Sequence, residues 1–193
     1  IALDVTDAES VRGALDRAES ALGPLFALVN NAGIASPRRI VDIPESDYDS
    51  IMATNAKGMW LMAQETGRRM IARGEGGQIV NIASMGGLIA TRNLSVYGMS
   101  KAAVIHMTKA MALEWARNGI TVNAICPGYV STEMNDSYFD SEDGRKFVAT
   151  FLRKRLMREE DLDAPLLLLV SGASRAMTGS ILTCDDGQGY TLY

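Results

Sequence analysis

The chain has 193 residues, a formal net charge of −4 and a sequence pI of about 5.1. This acidic balance argues against binding to nucleic acid or to an anionic membrane, because both favour basic surfaces. Apolar residues make up 47% of the chain, which suits one domain with a sizeable core. No apolar run reaches the ~18 residues that a membrane-spanning helix needs.

Apolar runs of strand length alternate with helical stretches along the chain. Thr6 and Glu9 have capping-box spacing and predict the start of the first helix, with Thr6 as its N-cap. This alternation predicts an α/β fold with a parallel sheet. Helices are predicted over about 6–22, 45–73, 96–118 and 159–170, and strands over 25–30, 78–82, 120–126 and 180–184.

Residues 133–158 have a different composition, with several aromatic side chains and no clean periodicity. Six basic residues lie within 145–158, and acidic residues flank them. Two interpretations stay open: the cluster attracts an anionic substrate or partner, or it is a solvated charged face. Pro165 falls inside the last helix and is expected to kink or loosen its start.

The cysteines and the single histidine carry little evidence of chemistry. Cys126 and Cys184 fall in predicted strands and read as small buried apolar residues of a reducing, cytoplasmic compartment rather than a disulfide. His106 has no Cys or His cluster beside it, so no metal site is predicted. A core or subunit-interface position is the simpler expectation for this histidine.

Tyr97 and Lys101 are four residues apart, which places them on one helix face. A free phenol titrates near pH ~10, and a lysine ammonium held close would lower that pKa by stabilising the phenolate. Such a pair can exchange a proton with a carbonyl or an alcohol near neutral pH. Helices carry this spacing by chance, so the surrounding motifs decide its meaning.

Several further motifs occur in a fixed order around this pair. They occupy residues 28–33, 54–58, 78–84 and 123–132. With them the chain resembles the short-chain dehydrogenase/reductase family, in its short single-domain branch, from about Leu3 to Gly187. The resemblance implies a Rossmann-like, doubly wound parallel sheet in three α/β/α layers. It also implies one domain over residues 1–193, with a substrate lid at about 133–158.

The resemblance assigns catalytic roles to four residues. Tyr97 would be the general acid in reduction and the base in oxidation, while Lys101 lowers its pKa and binds the nicotinamide ribose. Ser84 would hold the substrate oxygen together with Tyr97, and Asn55 would hold a water that completes a proton relay. The competing interpretations are a strand-end cap for Ser84, a backbone-capping amide for Asn55 and an ordinary helix-start aromatic for Tyr97.

The resemblance also implies a site for NAD or NADP. Asp4 would accept the adenine amino group, unless it only caps the chain locally, and the turn after the strand over 25–30 would approach the cofactor ribose, unless it is purely structural. Backbone near Val130 would hold the carboxamide. The expected cofactor-binding residues are Asp4, Val5, Asn30, Ala32, Gly33, Tyr97, Lys101, Pro127, Gly128, Val130 and Thr132.

The family's opening strand and glycine-rich phosphate turn have no counterpart in this sequence. Residues 1–5 resemble the third strand of the family, so about two βα units, roughly 50–60 residues at ~30 per unit, are expected to be absent. Those units hold the pyrophosphate and select NAD or NADP, which leaves the preference open. At the other end, Asp185-Asp186-Gly187 replaces the usual Asp-Gly-Gly.

Taken together, the motifs predict an NAD(P)-dependent oxidoreductase acting on a small carbonyl or alcohol of 3-oxoacyl, sugar/polyol or cyclic ketone type. Helices 45–73 and 96–118 would pair across a two-fold axis to give a homotetramer or homodimer. The alternative is a catalytically silent relative used as a binding or regulatory subunit, or a truncated fragment.

Overall fold

The computed structural model describes residues 1–132 and 135–191. Glu133 and Met134 of the expected lid and the last two residues of the chain lie outside this description. The helices are α1 (Ala8–Leu22), α2 (Glu45–Met52), α3 (Met59–Arg73), α4 (Ser95–Trp115), α5 (Asp136–Phe139), α6 (Glu142–Val148) and α7 (Asp163–Val170). The strands are β1 (Ala27–Asn30), β2 (Gly77–Ile82), β3 (Ile120–Pro127) and β4 (Ile181–Cys184).

The four strands form one parallel sheet in the order β1-β2-β3-β4. Their carboxyl ends meet at one edge, where Asn30 pairs with Asn81 and Pro127 pairs with Cys184. Ligands of open α/β sheets bind outside this edge. The last residues of β1 and β3, together with the loops that follow β1, β2 and β3, carry eight of the thirteen residues assigned to the predicted site.

Helices cover both faces of the sheet, as the doubly wound prediction requires. On one face α1, α3 and α4 pack against Leu28, Ile79 and Val122. On the other, α7 buries Leu169 against Val80 and Ile125. Because neighbouring strand residues point to opposite faces, β2 and β3 are buried on both sides and read as continuous apolar runs.

The amino-terminal segment departs from the sequence predictions. Residues 1–4 adopt no regular secondary structure and pair with no described strand, although residues 1–5 resemble the third strand of the family. A strand needs hydrogen bonds to a neighbour, and β1 pairs only with β2 among the described strands. Asp7, and not Thr6, is the N-cap of α1, with its carboxylate accepting from Ser10 N at 2.8 Å.

The helix predicted over 45–73 contains a π-helical stretch, Ala53–Gly58, between α2 and α3. Asn55 lies in this stretch, and π-helical turns occur frequently at functional sites. The helix predicted over 159–170 begins as a 3-10 helix, Glu159–Leu162, and becomes α-helical only at α7, so its start is loosened as predicted. Pro165 is the third residue of α7, where its missing N–H has no intrahelical role. None of the helices in the described part of the chain is both long and apolar enough to cross a membrane.

The cysteines behave largely as predicted, and the histidine does not lie in the core. Cys126 is buried, Cys184 is half-buried, and both thiols are free. Burial raises the pKa of the Cys126 thiol to about 11, which keeps it protonated at neutral pH. His106 is exposed on α4, so the core position is wrong for it, and the interface position stays a prediction.

Candidate active site

Ser84 and Tyr97 come together at the carboxyl edge of the sheet. Ser84 follows β2, where its hydroxyl accepts a hydrogen bond from Gly86 N at 3.0 Å, and it also shares a hydrogen bond with the Tyr97 hydroxyl. Both side chains are half-buried, so they remain accessible. Local capping and a role in chemistry therefore coexist at Ser84, because one hydroxyl can donate and accept.

A close approach between the backbones of Gly86 and Gly98 sets the distance between Ser84 and Tyr97. A methyl group at Gly98 would lie 2.8 Å from the Gly86 carbonyl oxygen, a separation that real side chains essentially never show. Glycine at this point of α4 therefore lets the loop after β2 rest directly on the helix that carries Tyr97.

We expect Gly98→Ala to move Ser84 away from Tyr97 and to lower kcat/KM by at least about tenfold, since ~1 Å misplacements can cost ~100-fold. Gly13→Ala in α1 is a matched control, because its methyl group would meet only the end of the flexible Arg17 side chain, at 3.2 Å. Steady-state kinetics on both variants tests this, and Gly98→Ala activity within twofold of the parent would contradict it.

Lys101 is buried beside this pair. Its ammonium donates to the Ile82 carbonyl oxygen at 2.8 Å and lies 5.7 Å from the centre of the Tyr97 ring. Burial lowers the pKa of Lys101 to about 8, because the charged form loses hydration. Tyr97 and Lys101 thus lie one turn apart on α4, as predicted. The Lys101 ammonium, however, donates to the carbonyl oxygen of Ile82 at the end of β2 and not to the Tyr97 hydroxyl.

Tyr97 has a higher pKa than the sequence interpretation required. Burial raises the pKa of the phenol above its ordinary value, and the hydrogen bond with Ser84 only partly offsets this effect. The net shift of the Tyr97 pKa is therefore opposite in direction to the one predicted, because burial outweighs the stabilising contacts. The phenol keeps its proton at neutral pH, so a proton is present for the reduction of a carbonyl, while the raised pKa makes Tyr97 a weaker acid than a free phenol.

Asn55 is fully buried, and its side chain is committed to protein partners. The amide nitrogen donates to Ile34 O at 2.9 Å and to Ser100 Oγ at 3.0 Å. The amide oxygen accepts from Ile34 N at 2.8 Å. Both amide hydrogens are used, so a water held by Asn55 would have to bond its backbone or the remaining lone pair of its side-chain oxygen.

Gly33 lies next to the side chains of both Asn55 and Lys101. A methyl group there would lie 3.4 Å from both the Asn55 amide oxygen and the Lys101 ammonium nitrogen. Lys101 has three N–H donors, and its one hydrogen bond to a described residue goes to Ile82. This side-chain-free surface beside an ammonium with spare donors fits the hydroxyls of a nicotinamide ribose.

Two other predicted cofactor residues have structural partners. The Asn30 amide donates to Asn81 at 2.9 Å inside the sheet, so only its backbone faces the loop that continues through Ala32. Asp4 accepts from both the backbone N–H and the hydroxyl of Thr6, which lowers the pKa of its carboxyl. The local capping interpretation of Asp4 therefore has direct support, and half-buried Val5 packs against the hydrophobic core.

The loop after β3 is fixed by a hydrogen bond to the turn that contains Gln188, near the carboxyl end of the chain. Gln188 is buried, and its side-chain oxygen accepts from Tyr129 N at 2.6 Å. A methyl group at Gly128 would come within 2.4 Å of that same oxygen, so this contact needs glycine. Asn135 orders the far end of the loop, bonding Val130 O at 2.9 Å and Thr132 N at 3.1 Å.

Sequence reasoning missed Tyr129 and Gln188. Tyr129 packs in a ring cluster with Phe139, Phe147 and Phe151, at centroid separations of 5.8, 5.3 and 5.6 Å. Burial raises the pKa of Tyr129 to about 12. Its position directly after Pro127-Gly128 was an available signal, whereas nothing in the sequence marked Gln188 as its backbone partner.

Comparison with known proteins agrees with this geometry. A family model described as enoyl-(acyl carrier protein) reductase matches residues 1–189. Galactitol 2-dehydrogenase (L-tagatose-forming) from Cereibacter sphaeroides is 39% identical over a 199-residue alignment covering 100% of this chain and 76% of that protein.

Solved structures of other proteins also resemble this chain over almost its whole length. A short-chain type dehydrogenase/reductase from Mycobacterium marinum superposes with a TM-score of 0.92 at 40% identity, covering 97% of this chain and 74% of that one. A gluconate 5-dehydrogenase from Burkholderia cenocepacia J2315, in complex with NADP and tartrate, has a TM-score of 0.92, 33% identity and the same coverages, 97% and 74%. The chain thus spans about three quarters of the length of these relatives.

Proposed function

The chain belongs to the short-chain dehydrogenase/reductase family of NAD(P)-dependent oxidoreductases acting on CH–OH groups, and on that premise we propose that its substrate is a polyol, a sugar or a sugar acid. The observation that carries the catalytic part of the proposal is the hydrogen bond between Ser84 and Tyr97, with buried Lys101 behind them. The names of the galactitol and gluconate dehydrogenases support the substrate class.

In the proposed reduction, Tyr97 donates its hydroxyl proton to the substrate oxygen as that oxygen gains charge. Ser84 donates a hydrogen bond to the same oxygen, which stabilises the developing negative charge. The bound nicotinamide supplies or accepts the hydride. In oxidation the proton returns to Tyr97, and Ser84 holds the alcohol in place.

Lys101 and Asn55 act behind the proton donor. Lys101 would hold the nicotinamide ribose through its spare N–H donors and would stabilise the phenolate left on Tyr97. Asn55 fixes the Ile34 segment and Ser100 around it, and any relay water would contact Asn55 through its backbone or its side-chain oxygen. Backbone from Pro127 to Thr132 would hold the carboxamide.

The substrate proposal is tested by initial rates on galactitol, gluconate and glycerol, each with NAD⁺ and NADP⁺. We expect turnover of at least one of them, and we expect Ser84→Ala to lower kcat by ~100-fold or more, as removing a donor to a developing oxyanion does. Cofactor binding without turnover of any polyol, sugar or sugar acid would overturn the substrate class. Failure to bind either nicotinamide cofactor would overturn the assignment of the site itself.

We also propose a homotetramer or homodimer that forms through α3 and α4. Trp60 on α3 is 41% exposed and Leu113 on α4 is 83% exposed, with a groove between the helices lined by Ile71, Met107 and Trp115. Large apolar side chains around a groove are typical of subunit interfaces. The single-domain organisation over residues 1–193, the substrate lid at 133–158 and a cytoplasmic location belong to the same proposal.

Light scattering is expected to give a mass of two or four times that of the protomer, which is 20.8 kDa for this chain. The double variant Trp60→Glu, Leu113→Glu should lower the measured mass, because it buries two unpaired charges in the interface. Leu22→Glu is the matched control, since Leu22 is 81% exposed on α1, away from this groove. A monomer at micromolar concentration would contradict the proposal.

A further inference from the structure

Asp186 occupies an unusual backbone position in the turn after β4. Its φ is +56°, in the left-handed region that favours glycine and where the family pattern has glycine. Its neighbour Asp185 braces this turn by accepting from Gly187 N at 3.0 Å and Gly189 N at 2.9 Å. A carboxylate is thus held at a fixed point, on a backbone conformation that costs free energy for a side chain.

That carboxylate reaches into the expected lid. Asp186 forms ion pairs with Arg153 at 2.6 Å and with Arg155 at 2.9 Å, and only 8% of its side chain is exposed. Arg155 also pairs with Asp161 at 2.9 Å. Two members of the basic cluster are therefore paired with acids, which disfavours an open anion site at these two arginines.

The same stretch of the lid is joined to the loop after β3. Met157 N donates to Tyr129 O at 3.0 Å, and Ser131 N donates to Met157 O at 2.9 Å. Phe151 stacks on the Tyr129 ring at 5.6 Å with an interplanar angle of 15°. Since Gln188 in the turn binds the Tyr129 backbone, one rigid turn contacts both the loop and the lid.

We propose that Asp186 is a positioning residue that fixes residues 151–157 of the lid against the carboxyl-terminal turn and thereby sets substrate affinity. The inference rests on the proposed function only in needing a substrate for its kinetic test. Removing the carboxylate would leave the lid attached through Tyr129 but free to pivot. Substrate binding would then weaken, while the chemistry at Tyr97 would continue.

Steady-state kinetics on Asp186→Asn, which keeps the side-chain size and tolerates a positive φ, should show KM raised about fivefold with kcat within about twofold. In an Arg153→Gln, Arg155→Gln background the same substitution should add no further effect on KM, because the partners are already gone. Lys146→Met, which breaks the exposed pair with Glu142 within α6, is the matched control and should leave KM unchanged.

Hydrogen exchange provides a readout that needs no substrate. Amides of residues 151–157 should exchange several-fold faster in Asp186→Asn than in the parent, whereas amides of β2 should not change. Exchange at the parental rate would overturn the proposal even if the enzyme were active on another substrate. Faster exchange with unchanged KM would overturn the link to substrate affinity.

The variant Asp186→Gly distinguishes the effect of losing the carboxylate from the effect of the strained backbone conformation. Glycine relieves the strain at φ +56° and removes the carboxylate, so this variant is expected to fold and to reproduce the KM of Asp186→Asn. A raised KM in the glycine variant alone would assign the effect to backbone freedom and overturn a role for the ion pairs.

Discussion

Tyr97→Phe is expected to lower kcat by ~100- to 10,000-fold, the range that general acid–base catalysis contributes. The phenyl ring retains the packing of Tyr97 but has no proton to give, and the hydrogen bond with Ser84 disappears. Nicotinamide affinity should stay within about twofold, because the hydrogen-bonding partner expected for the ribose is Lys101. Stopped-flow or steady-state rates, together with fluorescence titration of the reduced cofactor, measure both quantities.

Tyr48→Phe provides the control for loss of a phenolic hydroxyl in general. Tyr48 lies on α2 and is 41% exposed, outside the candidate site. We expect this variant to keep both parental turnover and parental cofactor affinity. Near-parental turnover in Tyr97→Phe would remove Tyr97 from proton transfer, and loss of cofactor binding in that variant would show that its role is structural.

The raised pKa of Tyr97 bears on the direction of the reaction. The Tyr97 phenol is protonated at neutral pH, so the form that reduction needs is already present, and the raised pKa makes the phenolate scarcer. Oxidation needs the phenolate, so the rate of alcohol oxidation is expected to rise with pH over the neutral and mildly alkaline range, while the rate of ketone reduction does not. Initial rates in both directions between pH 6 and 9 test this, and a parallel pH dependence of the two would contradict it.

Sequence reasoning succeeded where the determining interactions are local. The i, i+4 spacing fixes Tyr97 and Lys101 on one turn of α4, and alternation of apolar runs and helices was enough for the parallel sheet. These two predictions depend on periodicity, which a sequence displays directly. Ser84 was assigned through the family resemblance, from a motif that ends two residues after β2.

It failed where residues far apart in the chain determine the outcome. The partners of the Asn55 amide, Ile34 and Ser100, come from two other segments, and no spacing in the sequence shows that they exhaust its hydrogens. Residues 1–5 resemble a strand of the family but pair with no described strand, because a strand depends on its neighbours as well as on its own composition. The sign of the Tyr97 pKa shift likewise depends on burial by several segments.

Asp186 illustrates a middle case. The sequence revealed the departure from Asp-Gly-Gly, and the structure added the positive φ of Asp186. The ion pairs with Arg153 and Arg155 could not be foreseen, because they join segments that lie more than thirty residues apart in the chain. Arg153 and Asp186, for example, are separated by 33 residues. A departure from a motif thus located a functional candidate without giving its partner.

Lys101→Met is expected to lower turnover strongly, because it removes the cation that stabilises the phenolate and holds the ribose. It should also change how stability depends on pH. Lys101 is only 3% exposed, and burial lowers its pKa to about 8 in the folded protein from its ordinary value of 10.5. The free-energy cost of holding a buried ammonium is therefore fully present below pH 8 and disappears as pH rises to 10.5.

Between those values the unfolded chain keeps a proton that the folded chain has released, so this lysine makes the parent protein more stable as pH increases. Methionine has no such dependence, and the free energy of unfolding of Lys101→Met relative to the parent should fall by about 3 kcal/mol from pH 8 to 10.5. The hydrogen bond to Ile82 O is lost at every pH, and the part of it that depends on the protonation of Lys101 is already contained in the pKa of that lysine. Urea unfolding across this range measures the slope.

Lys109→Met, on the exposed surface of α4, shows how the free energy of unfolding changes with pH when a lysine outside the site is replaced. Subtracting this change from that of Lys101→Met leaves the contribution of the buried lysine. A corrected difference that stays flat across the range would mean that burial does not depress the pKa of Lys101. The lysine would then be a permanent cation at working pH, and the phenolate of Tyr97 would have a charged partner at all times. A slope of the expected sign means instead that the protein tolerates an unfavourable buried charge at the point where proton transfer needs one.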